Sequence, residues 1–253
     1  MSNLLKIVNP YDAQGKIWLR GQLHAHTSRS DGNCDPQVVV NTYAALGYDF
    51  LMLADHDYLN EMDDLDGHGM LLISGNEISD GGPHILHVDA HTLIAPDGDR
   101  QKVINDILAT GGFAVCNHPN FHKSFNHCHQ ALLEQLNGYV GLEIYNGAVR
   151  YRSGGEVATD RWDMLLSQGR RVWGFGSDDS HRDNEVNLAW NMVWARERTL
   201  PSVFDALRQG SFYVSSGVTI TDIHAQDECI SVTAPGAQKM IVSGLHGKRL
   251  FEQ

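Results

Sequence analysis

Short apolar or alternating runs ending in Gly, Asn, Asp or His recur along the chain, and most are followed by a stretch with helical spacing of apolar positions. Strands are predicted at residues 17–23 (IWLRGQL), 50–54 (FLMLA), 70–74 (MLLIS), 85–88 (ILHV), 113–116 (FAVC), 140–145 (VGLEIY) and 172–176 (VWGFG). Helices are predicted at 36–46 after Asp35, at 101–110 before Gly111 and Gly112, at 129–136, and at 159–167 before Gly169. Strands alternating with helices of this length make an α/β fold with a largely parallel sheet. The pattern changes after Trp194. RERTLPSVFDALRQG reads as one more helix, and short strands separated by Gly and Pro follow. The expected organisation is one α/β unit over 1–198 and a small β-rich segment over 199–253, with the final GLHGKRLFEQ as a frayed tail.

Polar residues cluster where these strands stop. His24 and His26 follow the first, Asp55, His56 and Asp57 the second, Glu77 the third, His118 the fifth, Asn146 the sixth, and Asp178, Asp179 and His181 the seventh. In a parallel barrel all such ends open onto one face, where these folds build their sites. Residues far apart in sequence are therefore expected to converge.

Composition changes this picture in two ways. The 253 residues include 14 histidines, and clustered His with Asp and Glu is the ligand set of divalent metals. Asp and Glu (31) outnumber Lys and Arg (19), giving −12, which argues against a nucleic-acid partner, since binding a phosphate backbone needs a basic face. The four cysteines (34, 116, 128 and 229) form no CxxC pair, pointing to neither a zinc ribbon nor a disulfide framework and to a reducing compartment. No run reaches the ~18 apolar residues of a membrane span, and the first 16 residues lack the pattern of a leader. A cytoplasmic protein with no membrane partner is expected.

In an extended segment i and i+2 point to one side, so His24 and His26 can chelate one ion. Asp31 follows on a loop. In LADHD the expected ligand is His56, with Asp55 and Asp57 capping or orienting. Glu77 stands where it could bridge two ions. His118, ahead of Pro119, is a further candidate ligand. His122, His127, His129 and Lys123 lie in a loop-like stretch, where a solvated role competes with a functional one. In GFGSDDSH an Asp-x-His pairing selects Asp179 with His181, whereas alignment on glycine and serine selects Asp178, and the other aspartate is left as general base or orienting group. His84 in GGPHILH is a candidate substrate contact, with a buried structural histidine as the alternative.

Taken in order, His24-Ala-His26-Thr27, Ser30-Asp31-Gly32, Ala54-Asp55-His56-Asp57, Gly75-Asn76-Glu77, His118-Pro119 and Gly176-Ser177-Asp178-Asp179-Ser180-His181 resemble the ordered motifs of the polymerase and histidinol phosphatase (PHP) family. The resemblance covers residues 23–181. It implies a distorted (β/α)7 barrel with two or three divalent ions (Mn, Fe or Zn) at its mouth. By the same resemblance His24, His26, Glu77 and the seventh-strand aspartate hold one ion, and Asp31, His56 and His181 a second. A third ion in that family uses the bridging Glu, the His-Pro histidine and a further His or Cys. The last position is Asn146 here, which frees Asn146 for substrate contact and His118 to serve as ligand, general acid or substrate contact. Residues 210–217 (GSFYVSSG) resemble, more distantly, a carbamate and amide hydrolase subgroup. The implied reaction is hydrolysis of a small anionic phosphate monoester or diester by metal-activated water. Hydrolysis of an amide, carbamate or ester on the same centre is one alternative, and a metal-binding scaffold without turnover another.

Overall fold

A computed structural model describes residue 11 and residues 16–226 and 229–253. The expectation about a leader falls on the first 16 residues, most of which lie outside this set. The main elements are β1 (Ile17–Gln22), α1 (Pro36–Ala45), β2 (Phe50–Met52), β3 (Leu71–Ile73), β4 (Gly75–Ile78), β5 (Ile85–Val88), α2 (Arg100–Ala109), β6 (Phe113–Cys116), α3 (Gln130–Gln135), β7 (Gly141–Asn146), α4 (Thr159–Ser167), β8 (Trp173–Ser177), β9 (Trp190–Ala195), α5 (Leu200–Gln209) and β10 (Phe212–Ser215). Two hairpins follow, β11 (Asp222–Gln226) with β12 (Cys229–Thr233) and β13 (Ile241–Ser243) with β14 (Arg249–Glu252). The last strand occupies the stretch expected to fray.

Local sequence explains the helix starts. Asp35 caps α1 by accepting from the Gln37 N–H at 3.0 Å, with Pro36 as its first residue, and Asp99 caps α2 through the N–H groups of Gln101 and Lys102.

The strands form two five-stranded sheets, in the orders β10-β9-β1-β2-β3 and β4-β5-β6-β7-β8. Pairing is parallel for β1–β2, β2–β3, β6–β7 and β7–β8, and antiparallel wherever β5 or β9 takes part. The sheets are therefore mixed, with four antiparallel pairs where the strand-helix rhythm implied a parallel barrel. Two features escaped the pattern. Glu77, expected in a loop, lies inside β4, because the chain pauses only at Ser74 before resuming as a strand. β9 alternates buried Asn191, Val193 and Ala195 with half-buried Trp190, Met192 and Trp194, so neither face shows the charged alternation that marks a strand.

The sheets also touch at isolated bridges. Ala25 pairs in parallel with Ser180, and His56 with Glu77. One apolar cluster draws Leu19, Phe50, Ile73, Leu86, Val115, Phe175 and Val193 from both sheets, with Phe204 and Leu207 of α5. A second packs α2, α3 and α4 against β6 and β7, and a third packs α1 against the chain around β2. Strands buried on both faces read as apolar runs, which is why residues 50–54 and 113–116 were legible. Among the described residues no helix is long and apolar enough to cross a membrane.

His87 on β5 is fully buried and its Nδ1 has no hydrogen-bond partner, while its Nε2 lies 3.2 Å from the Thr110 hydroxyl. Burial, with His91 adding repulsion, pushes its pKa down to about 4. The folded chain thus resists a proton that the unfolded chain accepts near pH 6.5. Stability is full above that pH and is lost as pH falls toward 4, by up to about 3 kcal/mol. Urea unfolding in chelator at pH 7 and pH 4.5 checks this. His87→Gln is expected to flatten the slope, and an unchanged slope rejects the assignment.

Candidate metal centre

The rim where β1, β2, β4, β6, β7 and β8 carry their functional residues is stitched by backbone hydrogen bonds. Asp179 N–H donates to the His24 carbonyl at 2.9 Å, His26 N–H to Ser180 at 2.8 Å, Ala54 N–H to Ala25 at 2.8 Å and Asp57 N–H to Glu77 at 2.8 Å. Because β5 runs against its neighbours, the residue at its start, His84, reaches the same rim. His118 (φ 23°) and Asp179 (φ 51°) hold left-handed backbone conformations, each costing on the order of 1 kcal/mol or more; the Asp179 N–H is tied to the His24 carbonyl and the His118 N–H to Glu143.

Glu77 lies at the centre and is fully buried. Its Oε1 is 3.4 Å from His24 Nε2, 3.1 Å from His84 Nδ1 and 3.2 Å from His118 Nε2. Its Oε2 is 2.8 Å from His56 Nδ1 and 3.6 Å from His26 Nε2. Asp179 Oδ1 is 3.2 Å from His24 Nε2 and 3.0 Å from His26 Nε2, and these two nitrogens are 3.1 Å apart. Asp31 Oδ1 is 3.2 Å from His181 Nε2, 3.6 Å from His56 Nε2 and 3.7 Å from His26 Nδ1. His24, His26 and Glu77 each offer a ligand atom within 4.8 Å of the others, and so do His26, Asp31, His56 and His181.

Electrostatics tests whether divalent ions fit. Among the described residues no Lys or Arg pairs with Glu77, Glu143 or Asp179, and their close partners of opposite charge are histidines alone. Asp179 Oδ1 is buried without a hydrogen bond. Three buried carboxylates with no permanent counter-charge are costly unless cations neutralise them. The pKa directions agree. Burial alone would raise Glu77 and Asp179, yet the surrounding imidazoles hold both well below the carboxylate range. Burial would lower His24, but Asp179, Glu143 and Glu77 pull it well above its ordinary value. Protons stand where cations would neutralise the same carboxylates, and a metal must displace them to bind. The residues fit divalent ions.

The expected residues fall into two groups. His24, His26, Asp31, His56, Glu77, His84, His118, Asp179 and His181 come together. Asp178 is engaged elsewhere, and Asn146 meets the cluster from behind, through Glu143 and Asp179. The Asp178 carboxylate accepts from the N–H groups of Asn187, Leu188 and Ala189 at 2.7, 2.7 and 2.9 Å and from the Tyr43 hydroxyl at 2.8 Å. Asn146 Nδ2 donates to Glu143 at 2.8 Å and to Asp179 Oδ2 at 3.1 Å, and its Oδ1 accepts from Val149 N–H. Asp55 accepts from Thr27, Ser30 and Asn60 rather than from a histidine. His129 caps α3 through Leu132 N–H. His127, whose pKa burial lowers to about 2, accepts the His84 N–H at 3.0 Å and faces His122 at 3.2 Å.

Sequence reasoning missed Glu143 and Asn117. Buried Glu143 bonds His24 Nδ1 at 2.8 Å, the Ser177 hydroxyl at 2.5 Å and His118 N–H at 3.0 Å. Asn117 donates to Glu77 Oε1 at 2.5 Å. The signal for Glu143 was a carboxylate inside the apolar run VGLEIY, since a charge within a buried strand needs a partner. A carboxylate on the far nitrogen of a ligating histidine fixes its tautomer and orientation. Glu143→Gln is expected to lower metal affinity and kcat/KM about 10- to 100-fold. Equilibrium dialysis with steady-state kinetics checks this, and wild-type affinity would reject it.

No protein-family model matches the chain, and no curated protein does. Solved structures do. The chain has the fold of PHP-like metal-dependent phosphoesterases. A two-domain protein from Bacteroides vulgatus, containing a predicted PHP-like metal-dependent phosphoesterase, superposes with a TM-score of 0.62 at 19% identity over 88% of this chain and 77% of that one. A candidate metal-dependent phosphoesterase from Bifidobacterium adolescentis superposes at 0.51 with 15% identity, over 75% and 96% of the two chains. The lesion-specific endonuclease PfuEndoQ from Pyrococcus furiosus superposes at 0.55 with 14% identity, over 78% of this chain and 58% of its own.

Proposed function

We propose that this chain is a PHP-family hydrolase that cleaves a small phosphate monoester or diester with divalent ions held by the His and carboxylate cluster. The observation that carries the reading is the set of buried carboxylates paired with imidazoles and, among the described residues, with no lysine or arginine. The two sheets are read as halves of one distorted (β/α)7 barrel, which the Ala25–Ser180 and His56–Glu77 bridges support.

His24, His26, Glu77 and Asp179 would hold one ion, and Asp31, His56 and His181 a second, with Glu77 shared. Divalent ions there supply Lewis acidity, lowering the pKa of a coordinated water and neutralising charge on the attacked group. His118, held through its backbone by Glu143, is assigned to the leaving-group side as ligand or proton donor. His84 lines the cleft and is assigned to substrate. Asn146 steadies Glu143 and Asp179 and is no longer needed as a substrate contact. Asp178 anchors the 187–189 turn, and we assign it no proton transfer. The small cleft, about 140 Å³, and the net charge of −12 favour a small substrate over a nucleic acid.

Metal analysis of purified protein, followed by aryl phosphate, phosphodiester, oligonucleotide, carbamate and ester panels on wild type and His26→Ala, tests the reading. Phosphate turnover lost in the variant supports it. Turnover of acyl substrates alone moves the activity to amide, carbamate or ester hydrolysis, and oligonucleotide cleavage moves the substrate class. Tight metal with no turnover leaves a scaffold.

A further inference from the structure

The cleft lined by Glu77 and Asp179 is also lined by Phe121 and Arg152. The same two residues wall an outer hollow of about 700 Å³, completed by His122, Lys123, Ser124 and Ser153. The two spaces adjoin at Phe121 and Arg152, so a molecule whose reacting group reaches the inner cleft has room for its remaining atoms past these residues. Phe121 is stacked on His122, with centroids 4.1 Å apart and planes at 28°, which offers that body an apolar wall.

Arg152 is held in place from behind. Its Nη1 is 3.2 Å from Glu185 Oε1, and its Nη2 donates to Glu185 Oε2 at 3.5 Å. Glu185 is buried, and its Oε2 also accepts the His181 N–H at 2.8 Å, so the guanidinium is tied to the backbone of the cluster. The Arg152 side chain remains 28% exposed toward the cleft, and a guanidinium carries five donors. One carboxylate does not use them. In a chain of −12, an anchored guanidinium with spare donors at the mouth of a cleft, beside exposed Lys123, is matched to an anion.

We propose that Arg152, assisted by Lys123, binds a second negative charge on the substrate, carried by the part of the molecule that lies in the outer hollow. The inference rests on the reading of the His and carboxylate cluster as the hydrolytic centre. The substrates favoured are phosphate esters whose organic group bears a further carboxylate or phosphate.

The test measures binding of non-hydrolysable probes to the metal-loaded protein by calorimetry, so it does not depend on turnover. Phenylphosphonate is compared with 3- and 4-carboxyphenylphosphonate and with 1,4-phenylenebisphosphonate. Wild type is expected to bind a doubly anionic probe about tenfold more tightly than phenylphosphonate, the scale of a charge-assisted contact. The carboxylate and bisphosphonate arms tell which anion is preferred. In Arg152→Met the advantage should shrink below threefold, with metal content unchanged, and Arg152→Lys should restore part of it. Lys123→Met, an exposed change that leaves the fold intact, should remove about a two- to threefold share. Equal binding of single and double anions by wild type, or an advantage that survives both Met variants, overturns the proposal. Where aryl phosphates are turned over and the second charge gives no advantage, this inference alone falls. Where no probe binds and no phosphate is turned over, the hydrolytic reading falls with it.

Discussion

Replacing Glu77 by glutamine is expected to lower kcat/KM by on the order of a thousandfold or more, about 4 kcal/mol of transition-state stabilisation. The reason is its position among the imidazoles. One buried carboxylate lies within 3.6 Å of His24, His26, His56, His84 and His118, so its two oxygens serve both proposed ion sites. Glutamine keeps the shape but removes the charge and turns an NH2 group toward nitrogens that must bind metal through lone pairs. Changes in groups that merely orient ligands typically cost 10- to 100-fold, so loss of a shared ligand should exceed that range. Metal content and aryl phosphate kinetics on the same preparation check the expectation. Glu77→Gln protein that keeps its metal and a rate within tenfold of wild type would remove Glu77 from the centre.

The part of the site legible in the sequence is the part governed by strand ends. His24, His26, His56, His118, Asp179 and His181 each follow an apolar run, and a run that stops at a polar residue marks a rim regardless of which strand pairs with which. Glu77 is legible by type but lies inside a strand, since the apolar run stops at Ser74 and nothing local reveals that the chain resumes pairing with β5. Glu143 was hidden for the opposite reason. It lies within a run whose apolar neighbours fixed attention on the strand, and its partners His24, Ser177 and His118 are distant in sequence. The antiparallel entry of β5 and β9 is likewise a matter of long-range pairing, which the period of a single strand does not encode. The same holds for the neighbouring aspartates. Pattern alone left Asp178 and Asp179 exchangeable, whereas their hydrogen bonds separate them.

That separation yields the second large effect, and it concerns stability. Asp178→Ala is expected to destabilise the metal-free protein by about 3–5 kcal/mol, the range for removing one partner from a buried charged network. Its carboxylate takes three consecutive backbone N–H groups from residues 187–189 and the hydroxyl of fully buried Tyr43. Burial raises the Asp178 pKa, and the Ala189 and Asn187 N–H groups oppose that rise, so the acceptor is matched to its donors. Alanine leaves those donors without their acceptor, at about 1–3 kcal/mol for each one shut off from water, as the Ala189 N–H and the Tyr43 hydroxyl are. Asp179→Asn supplies the contrast. Its Oδ1 faces His24 and His26 at 3.2 and 3.0 Å and no backbone N–H, so the change removes a proposed metal ligand and should abolish tight metal binding. Urea unfolding in chelator, paired with metal titration of each variant, reads both quantities. If Asp178→Ala unfolds like wild type and loses its metal, while Asp179→Asn keeps metal and activity, the roles of the two aspartates are reversed and the proposed ligand set must be redrawn around Asp178.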